Sequence, residues 1–470
     1  MTVSPCSRCL NARNRRAIIL PPEIDPDHYY TFVMTSKEDR RFVVLPGGQL
    51  QGQIKVPGDK SISHRAIMLG ALAEGETIIQ GFLHGEDTLA TLRAFQQMGV
   101  SIENSESLIR IHGVGLHGLK PSPEPLDLGN SGTSVRLMTG LLAGQDFNST
   151  LIGDTSLMQR PMRRVIDPLI TMGASITSTD KGTLPVTIKG GQALHGIDYT
   201  LPVASAQLKS CLLLAGMYAR GQTTIIEPEP TRDHTERMLS AFMNPLQREG
   251  NRISIYHTER LVGTEIHVPS DFSSAAFFIA AASIVPGSDL VLREVGVNPT
   301  RHAMLAIMQA MGADITLKNE RMQSGEPVAD LHIKSATLSG IDIPEELVPV
   351  AIDEFPAILV AAAVANGTTR LTGAAELRVK ESDRIQAMLD GLLALGIDAT
   401  ASDDGMVVNG GQLRGGIVES HGDHRIAMAF AVAGMVAGGP VHIRDCANVA
   451  TSFPGFVELA RHAGMKISYE

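Results

Sequence analysis

Polar and apolar positions alternate along this chain on a long rhythm. Six segments start polar and continue as apolar, Ala/Gly-rich runs: "KSISHRAIMLGALAEG" from Lys60, "GTSVRLMTGLLAG" from Gly132, "SAQLKSCLLLAGMYARG" from Ser205, "DFSSAAFFIAAASIVPG" from Asp271, "DEFPAILVAAAVANG" from Asp353 and "DHRIAMAFAVAGMVAGG" from Asp423. Each ends at a glycine (Gly75, Gly144, Gly221, Gly287, Gly367 and Gly439), at spacings of 66 to 80 residues. A helix that is apolar nearly all round is buried, so each run predicts a buried helix whose small residues permit close packing. A short β-like run follows each glycine, as in "ETIIQGF", "QTTIIEP", "SDLVLREV" or "TTRLTG", and then a polar loop and an amphipathic helix. Five of these second helices end near a glycine, as in "MGVSI", "MGASI", "MGADI", "LGIDA" and "AGMKI"; the third repeat, near "NPLQREG", is weaker. An internal repeat outranks local signals in reading a fold. This period is too long for a solenoid, and a unit mixing two helices with several strands predicts a compact α/β subdomain.

The polar starts offer helix caps: Asp59 or Ser61, Thr133, Ser205, Asp271, Asp353 and Asp423. A buried helix presents unpaired N–H groups and a positive dipole end at its N-terminus. Several such ends converging on one cleft would form an anion site.

Composition narrows the class. The 470 residues exceed one ordinary core, so two or more domains are expected. Apolar residues at 43% and charged residues at 19% fit a globular chain. No uninterrupted apolar run reaches about 18 residues, which speaks against a transmembrane helix. The start "MTVSPCSRCLNARNRR" lacks the apolar stretch of a signal peptide, so a cytoplasmic chain is expected. Four cysteines make no disulfide framework; Cys6 and Cys9 form a lone C-x-x-C read as part of a leader, and Cys211 and Cys446 read as core. A net charge of -10, with no Trp and 4% aromatics, argues against a nucleic-acid partner. A cationic site in such a chain is a local cluster, suited to a small anionic ligand.

The clusters lie at the helix starts. "GDKSISHR" lacks the glycine–lysine succession of a P-loop. On a helix it places Ser61 with Arg65 and Lys60 with His64 as i,i+4 pairs, able to hold an anion in two layers. In "ELRVKESDRIQAM", Lys380 and Arg384 are like charges at i,i+4, unfavourable unless Glu381 and Asp383 offset them or an anion lies between. Cations and burial would tune Glu381 in opposite directions, as acid–base work requires. "SLMQRPMRRVIDPL" bunches Arg160, Arg163 and Arg164 at a helix start, where cations are costly unless they surround a phosphate or carboxylate. "TRDHTERM" supplies Arg232 with Asp233, His234 and Glu236 and has no metal-ligand spacing; "HGDHRIAM" supplies Asp423, His424 and Arg425; "AIDEFPAIL" supplies Asp353 and Glu354. Cations with two or three carboxylates suit transfer between small, highly anionic substrates.

Taken together, "PGDKSISHRA", "GNSGTSVRLMTGLLAG", "DTSLMQRPM", "SAQLKSCLLLAG", "TRDHTERML", "IDEFPAILVAAA", "ELRVKESDRI", "DHRIAMA" and "TSFPGF" resemble the 5-enolpyruvylshikimate-3-phosphate synthase family, in the family's order from about Leu45 to Ile467. The resemblance implies a two-domain inside-out α/β barrel of six βαβαββ repeats, three per domain around buried parallel helices. One domain would span residues 59–269 and the other 42–58 plus 270–470, with the site in the cleft between them. It implies transfer of the enolpyruvyl group of phosphoenolpyruvate to the 5-hydroxyl of shikimate 3-phosphate by addition and elimination, with no metal or organic cofactor, in a monomer. By motif, Ser61 and Arg65 would hold the shikimate carboxylate, Ser205 and Arg232 its phosphate, and Gln207 would pack near the ring. Asp353 and Lys380 would contact the ring hydroxyls, with Asp353 a candidate base. Lys60, Arg160, Arg384 and Arg425 would clamp phosphoenolpyruvate, with Gly132 and His424 beside them. Glu381 is a candidate proton donor to the methylene carbon, and Lys60 its rival.

This sequence departs from some members at three places. Ala206 stands where some have a second serine, Thr451 where some have a lysine, and Glu376 where some have an asparagine. Gly132 is retained where an alanine in some members excludes glyphosate. Residues 1–41 have no counterpart and read as a flexible extension. Three rivals stay open. One is the sister transferase acting on UDP-N-acetylglucosamine, which pairs lysine with asparagine at Lys60-Ser61 and carries a loop cysteine. Another is an RNA 3'-phosphate cyclase-like nucleotidyl transferase using His424 as nucleophile. The last is a noncatalytic anion-binding relative.

Overall fold

The computed structural model describes residues 40–105 and 107–470. The Cys6–Cys9 pair and nearly all of the 1–41 extension lie outside the described residues. Within them the chain is mixed α/β and forms six sheets of three to five strands. No helix among the described residues is long and apolar enough to cross a membrane.

Six apolar runs form helices: Lys60–Leu72, Gly132–Ala143, Ala206–Gly216, Phe272–Ile284, Phe355–Ala363 and His424–Val436. In Phe272–Ile284 every residue is buried, as expected of a helix whose only polar residues are the serines Ser273, Ser274 and Ser283. The helices Phe272–Ile284, Phe355–Ala363 and His424–Val436 pack on one another pairwise, as do Gly132–Ala143 and Ala206–Gly216. The last pair shows why small residues are needed: a Cβ at Gly140 would lie 2.1 Å from the carbonyl oxygen of Cys211. Cys211 and Cys446 are both buried, as expected of core residues. Burial pushes the Cys211 thiol up to about 12, leaving it inert.

Four helix caps fall where expected and two do not. Asp59, Ser205, Asp271 and Asp423 each accept a backbone N–H of their helix's first turn. Ser131 rather than Thr133 caps Gly132–Ala143. Glu354 rather than Asp353 occupies the cap of Phe355–Ala363 and makes no side-chain cap bond. Pro356 removes one of the two N–H groups a cap would take, and the other, of Ala357, donates to the backbone carbonyl of Glu354 at 3.0 Å.

The buried apolar residues separate into two cores. One contains Ile62 through Val268. The other joins Phe42–Val56 to Phe272–Ile467. We refer to the bodies around them as the first and second lobes. Two early strands complete sheets of the second lobe. Phe42–Val44 lies between Val441–Arg444 and Ile467–Tyr469, and Gln51–Ile54 pairs in parallel with Asp289–Gly296. Late strands Leu261–Val262 and Glu265–His267 likewise close the first lobe's sheet on Ala73–Gln80. The chain therefore passes between the lobes twice. The two passages lie side by side: Asp59 N donates to Pro269 O and Asp271 N to Pro57 O, each at 2.8 Å.

Candidate active site

A cavity of about 540 Å³ lies between the lobes and is lined by residues of both. This is within the ~300–1,000 Å³ of small-molecule sites. All six buried helices bring residues at or just before their N-termini to it, including Lys60, Ser61, Gly132, Thr133, Ser205, Gln207, Ser273, Asp353, His424 and Arg425. The convergence expected from the repeats is present, and it sets backbone donors and dipole ends around one space.

The first lobe contributes mainly cations. Lys60 Nζ lies 2.5 Å from Asp87 Oδ2 and donates to Ser452 Oγ at 2.9 Å across the cleft. Arg160 donates to Asn130 Oδ1 at 2.7 Å and sits 3.5 Å from Glu381, while its buried Nε has no hydrogen-bond partner among the described residues. Arg164 reaches Glu376 at 3.3 Å. Arg163 turns away to the carbonyl of Asp180 and does not line the cavity, so the arginine cluster splits. Gly132 leaves room for two guanidinium groups; a Cβ there would stand 2.9 Å from Arg160 Nη1 and 3.3 Å from Arg136 Nη1. Arg136 is a wall residue that motif reading passed over. It donates to Gln207 Oε1 at 2.5 Å, and Gln207 in turn donates to Thr133 Oγ1 at 3.2 Å. Burial, with Arg160 and Arg164 close by, lowers Arg136 to about 10, still charged at neutral pH. Its place four residues after Gly132 repeats the Ser61–Arg65 spacing and was the available signal.

The "GDKSISHR" segment divides by helix face. Lys60 and Ser61 line the cavity, and Arg65 lies immediately behind them. Its guanidinium is buried and donates to Ser61 O at 2.9 Å, Thr235 Oγ1 at 2.7 Å and Ser210 Oγ at 2.8 Å, all neutral acceptors. Burial lowers it to about 10. His64 does not join Lys60 in a second layer. It points into the first lobe, where Nδ1 meets Thr91 Oγ1 at 2.8 Å and Nε2 lies 3.4 Å from Ser131 Oγ. Burial and the charges of Lys60 and Arg65 hold it well below the usual histidine range.

The second lobe intersperses carboxylates with its cations. Asp353 is surrounded: Arg232 at 2.5 Å, Arg384 at 3.4 Å, Lys380 at 3.5 Å and Arg425 at 3.9 Å. Burial alone would raise its carboxyl, yet Lys380, Arg232, Arg425 and Arg384 together hold it well below the carboxylate range. Glu381 accepts from Arg384 at 2.6 Å, and despite burial Arg384 and Arg160 hold it well below its usual range too. Arg384 is itself buried, with Asp423 at 2.8 Å as a further partner. Asp423 thus caps a helix and fixes a guanidinium, and only the first role was read from sequence. Burial drives the His424 imidazole down to about 3, so it is neutral at physiological pH. Glu354 is also buried, accepts from Ser273 Oγ and, chiefly through burial, is raised above its usual range.

The departures from the family pattern have definite places. Ala206 lies on the wall between Ser205 and Gln207. Thr451 donates its hydroxyl to Asn448 O at 2.7 Å, and its neighbour Ser452 meets Lys60. Glu376 lines the cavity and takes Arg164.

The family model for EPSP synthase (3-phosphoshikimate 1-carboxyvinyltransferase) matches residues 44–459. A Methylococcus capsulatus protein named 3-phosphoshikimate 1-carboxyvinyltransferase is 62% identical over 92% of this chain and 99% of its own length. One of the same name from Nitrosococcus oceani is 60% identical over 92% and 98%. The solved structure of EPSP synthase from Acinetobacter baumannii superimposes with a TM-score of 0.84 at 56% identity, covering 92% of this chain and 100% of that one. The fold alone extends further, to an enolpyruvyl transferase from Streptomyces tendae at TM-score 0.75 and 14% identity, over 92% of this chain and 99% of that one. With the motifs in order along the chain and their residues gathered on one cavity, the chain belongs to the EPSP synthase (3-phosphoshikimate 1-carboxyvinyltransferase) family.

Proposed function

We propose that this chain transfers the enolpyruvyl group of phosphoenolpyruvate to the 5-hydroxyl of shikimate 3-phosphate, giving 5-enolpyruvylshikimate 3-phosphate and inorganic phosphate. The observation that carries this reading is the convergence of six helix N-termini and nine lysine and arginine side chains on one cavity between the lobes. Each substrate carries a carboxylate and a phosphate, and a phosphate brings about -1.5 to -2 charges at neutral pH. A cleft that removes both substrates from water needs such a surplus of donors and cations.

In this reading Ser61 and Arg65 take the shikimate carboxylate, Ser205 and Arg232 the 3-phosphate, and Gln207 and Lys380 the ring. Lys60, Arg160, Arg384 and Arg425 clamp phosphoenolpyruvate, with Gly132, Gln207 and neutral His424 against it. Asp353, ionised among its cations, accepts the proton of the attacking hydroxyl. Glu381 gives a proton to the methylene carbon, which becomes a methyl group as the hydroxyl oxygen bonds to the adjacent carbon. Elimination then removes a methyl proton and expels phosphate. In the free protein Glu381 is an anion. Phosphoenolpyruvate draws Arg160 and Arg384 to itself and adds negative charge nearby, both of which raise the Glu381 carboxyl toward a proton-donating state. Lys60 is the alternative donor.

Two further readings go with this one. Residues 59–269 form one domain and 42–58 with 270–470 the other, hinged at the paired passages; the separation of the two cores supports it. The chain works as a monomer, which a cavity lined by both lobes of one chain supports, and its place is cytoplasmic in the same reading. Ser61 stands on the wall in place of an asparagine, and the turn Leu157–Gln159 holds no cysteine, so a UDP-N-acetylglucosamine acceptor is not favoured.

Phosphate release is to be followed with each substrate omitted in turn, and the product identified by mass. Release that depends on both substrates is expected. Folded protein that binds shikimate 3-phosphate and releases no phosphate would support a noncatalytic relative instead.

A further inference from the structure

The motif "TRDHTERM" contributes Arg232 to the cavity, but its next residues face elsewhere. Asp233 Oδ1 accepts from Asn298 Nδ2 at 2.7 Å and from Thr300 Oγ1 at 3.4 Å, both in the second lobe. His234 Nδ1 lies 2.7 Å from Glu326 Oε1, and Asn298 also donates to Glu326 Oε2 at 2.9 Å. One residue beyond Thr300, Arg301 is buried, and its guanidinium meets both chain passages. Nη1 pairs with Asp59 Oδ2, the cap of the Lys60 helix. Nη2 pairs with Asp271 Oδ1 and donates to Ser273 Oγ, each at 2.9 Å. The other oxygen of Asp271 accepts the backbone N–H of Lys60 at 3.0 Å.

We propose that the turn Asn298–Arg301 is a knuckle that sets the register between the two lobes, with Arg301 as a positioning residue for the transfer reaction. One short turn holds the cap of the helix bearing Lys60 and Ser61, the cap of the helix bearing Ser273 and Ser274, and the residue after Arg232. Arg301 touches both passages at once because a guanidinium is a planar fork of donors. A lysine would keep the charge but lose that fork.

This inference rests on the function proposed above and makes a distinction within it. The groups assigned to shikimate 3-phosphate lie mostly in the first lobe: Ser61, Arg65, Ser205, Gln207 and Arg232. They keep their mutual geometry if the lobes slip. The phosphoenolpyruvate clamp is split, with Lys60 and Arg160 on one lobe and Arg384 and Arg425 on the other. Loss of register therefore falls on phosphoenolpyruvate and on turnover, and spares first-substrate binding.

The test uses the full chain and two variants, Arg301→Lys and the charge-relieved double substitution Asp59→Asn with Arg301→Gln; an asparagine side chain can still cap the Lys60 helix. Calorimetry gives the Kd for shikimate 3-phosphate alone, and steady-state kinetics give kcat and KM for phosphoenolpyruvate, below the melting temperature. The expected result is a shikimate 3-phosphate Kd near the wild-type value with kcat/KM for phosphoenolpyruvate lower by roughly 10- to 100-fold, the scale of a small misplacement. Unchanged kinetics in a folded variant overturns the inference. So does a parallel loss of both readouts, or failure of both variants to fold, since either makes Arg301 a residue of the fold alone. A wild-type chain without turnover overturns the enzymatic reading and the inference with it, whereas normal wild-type turnover beside unaffected variants overturns only the inference.

Discussion

The two walls of the cavity differ in charge. On the first lobe, Lys60, Arg136, Arg160, Arg164 and Arg232 stand against the single carboxylate of Asp87. On the second, Arg301, Lys380, Arg384 and Arg425 are balanced by Asp271, Asp353, Glu376 and Glu381. The contrast extends behind the walls. Arg65 of the first lobe is buried among neutral acceptors, whereas Arg384 of the second is buried with Asp353, Glu381 and Asp423 within 3.4 Å. Arg65 feels Glu236 and Asp59 only at longer range, without a direct carboxylate contact among the described residues; a buried charge so thinly countered is costly, so the first lobe is suited to an anion that arrives from outside. The second wall carries the carboxylates, which pair with its own Lys380, Arg384 and Arg425 and, across the cleft, with Arg232, Arg160 and Arg164 of the first; these contacts also hold the carboxyls of Asp353 and Glu381 well below their ordinary titration range. One wall is suited to binding and the other to moving protons.

The largest expected effect is on chemistry. Glu381→Gln should lower turnover by roughly 10²–10⁴, the usual share of a general acid, and abolish solvent-hydrogen exchange into the methylene. Normal exchange in that variant would assign the donor role to Lys60.

The two buried arginines offer the sharpest contrast. Arg384→Met strands three carboxylates and should lower unfolding stability by about 3–5 kcal/mol. Arg65→Met strands none. It should lower the melting temperature less than Arg384→Met does, because the acceptors it leaves are the neutral oxygens of Thr235, Ser61 and Ser210, while weakening shikimate 3-phosphate binding by roughly 10–100-fold, the loss of charged hydrogen bonds worth about 1.5–3 kcal/mol. Equal destabilisation of both variants in a thermal melt would contradict the difference drawn between the walls.

Acid titration tests the second wall more gently. His424 holds no proton in the folded protein until about pH 3, while in the unfolded chain it protonates near 6.5. Between these values the unfolded chain binds the extra proton, so stability falls as pH drops through the window, by about 1.4 kcal/mol per pH unit for one histidine. Asp353, Glu381 and Asp423 act lower down. Their depressed carboxyls contribute stability that is complete above about pH 4 and is lost as pH falls through their folded values. His424→Gln should flatten the upper part of the denaturant-midpoint profile and leave the lower part. His64, also depressed, retains its own share of the upper slope.

The smallest effect is expected at Gly132. The added Cβ of Gly132→Ala would press on Arg160 Nη1 at 2.9 Å. A flexible guanidinium can yield, so KM for phosphoenolpyruvate should rise only several-fold, with a greater loss of inhibition by glyphosate. In the unaltered protein glyphosate should compete with phosphoenolpyruvate, and kinetic inhibition patterns check both statements.

Periodicity and composition alone identify the six buried helices, because a helix apolar on all sides has no other place to go. The polar residues at their starts were legible as an anion site for the same reason. Charge partners were not. Arg384 meets Asp423 across 39 positions of sequence and Arg301 meets Asp59 across 242, and no local pattern encodes such pairs. His64 shows the limit of spacing arguments. It shares a helical row with Lys60, yet its side chain follows the hydroxyls of Thr91, Ser131 and Ser134 into the lobe. Asp353 was read as a cap because acidic residues favour that position, but the cap falls one residue later and leaves its carboxylate to the cations.

The division of labour between the walls is tested most directly by titrating shikimate 3-phosphate into Asp353→Asn and measuring that variant's turnover on the same preparation. The account predicts binding close to that of the unaltered protein, because an asparagine still meets the ring hydroxyl and no longer holds Arg232, together with turnover reduced by roughly 10²–10⁴. Binding that weakens in proportion to turnover would show that Asp353 serves the binding wall, and would contradict the account.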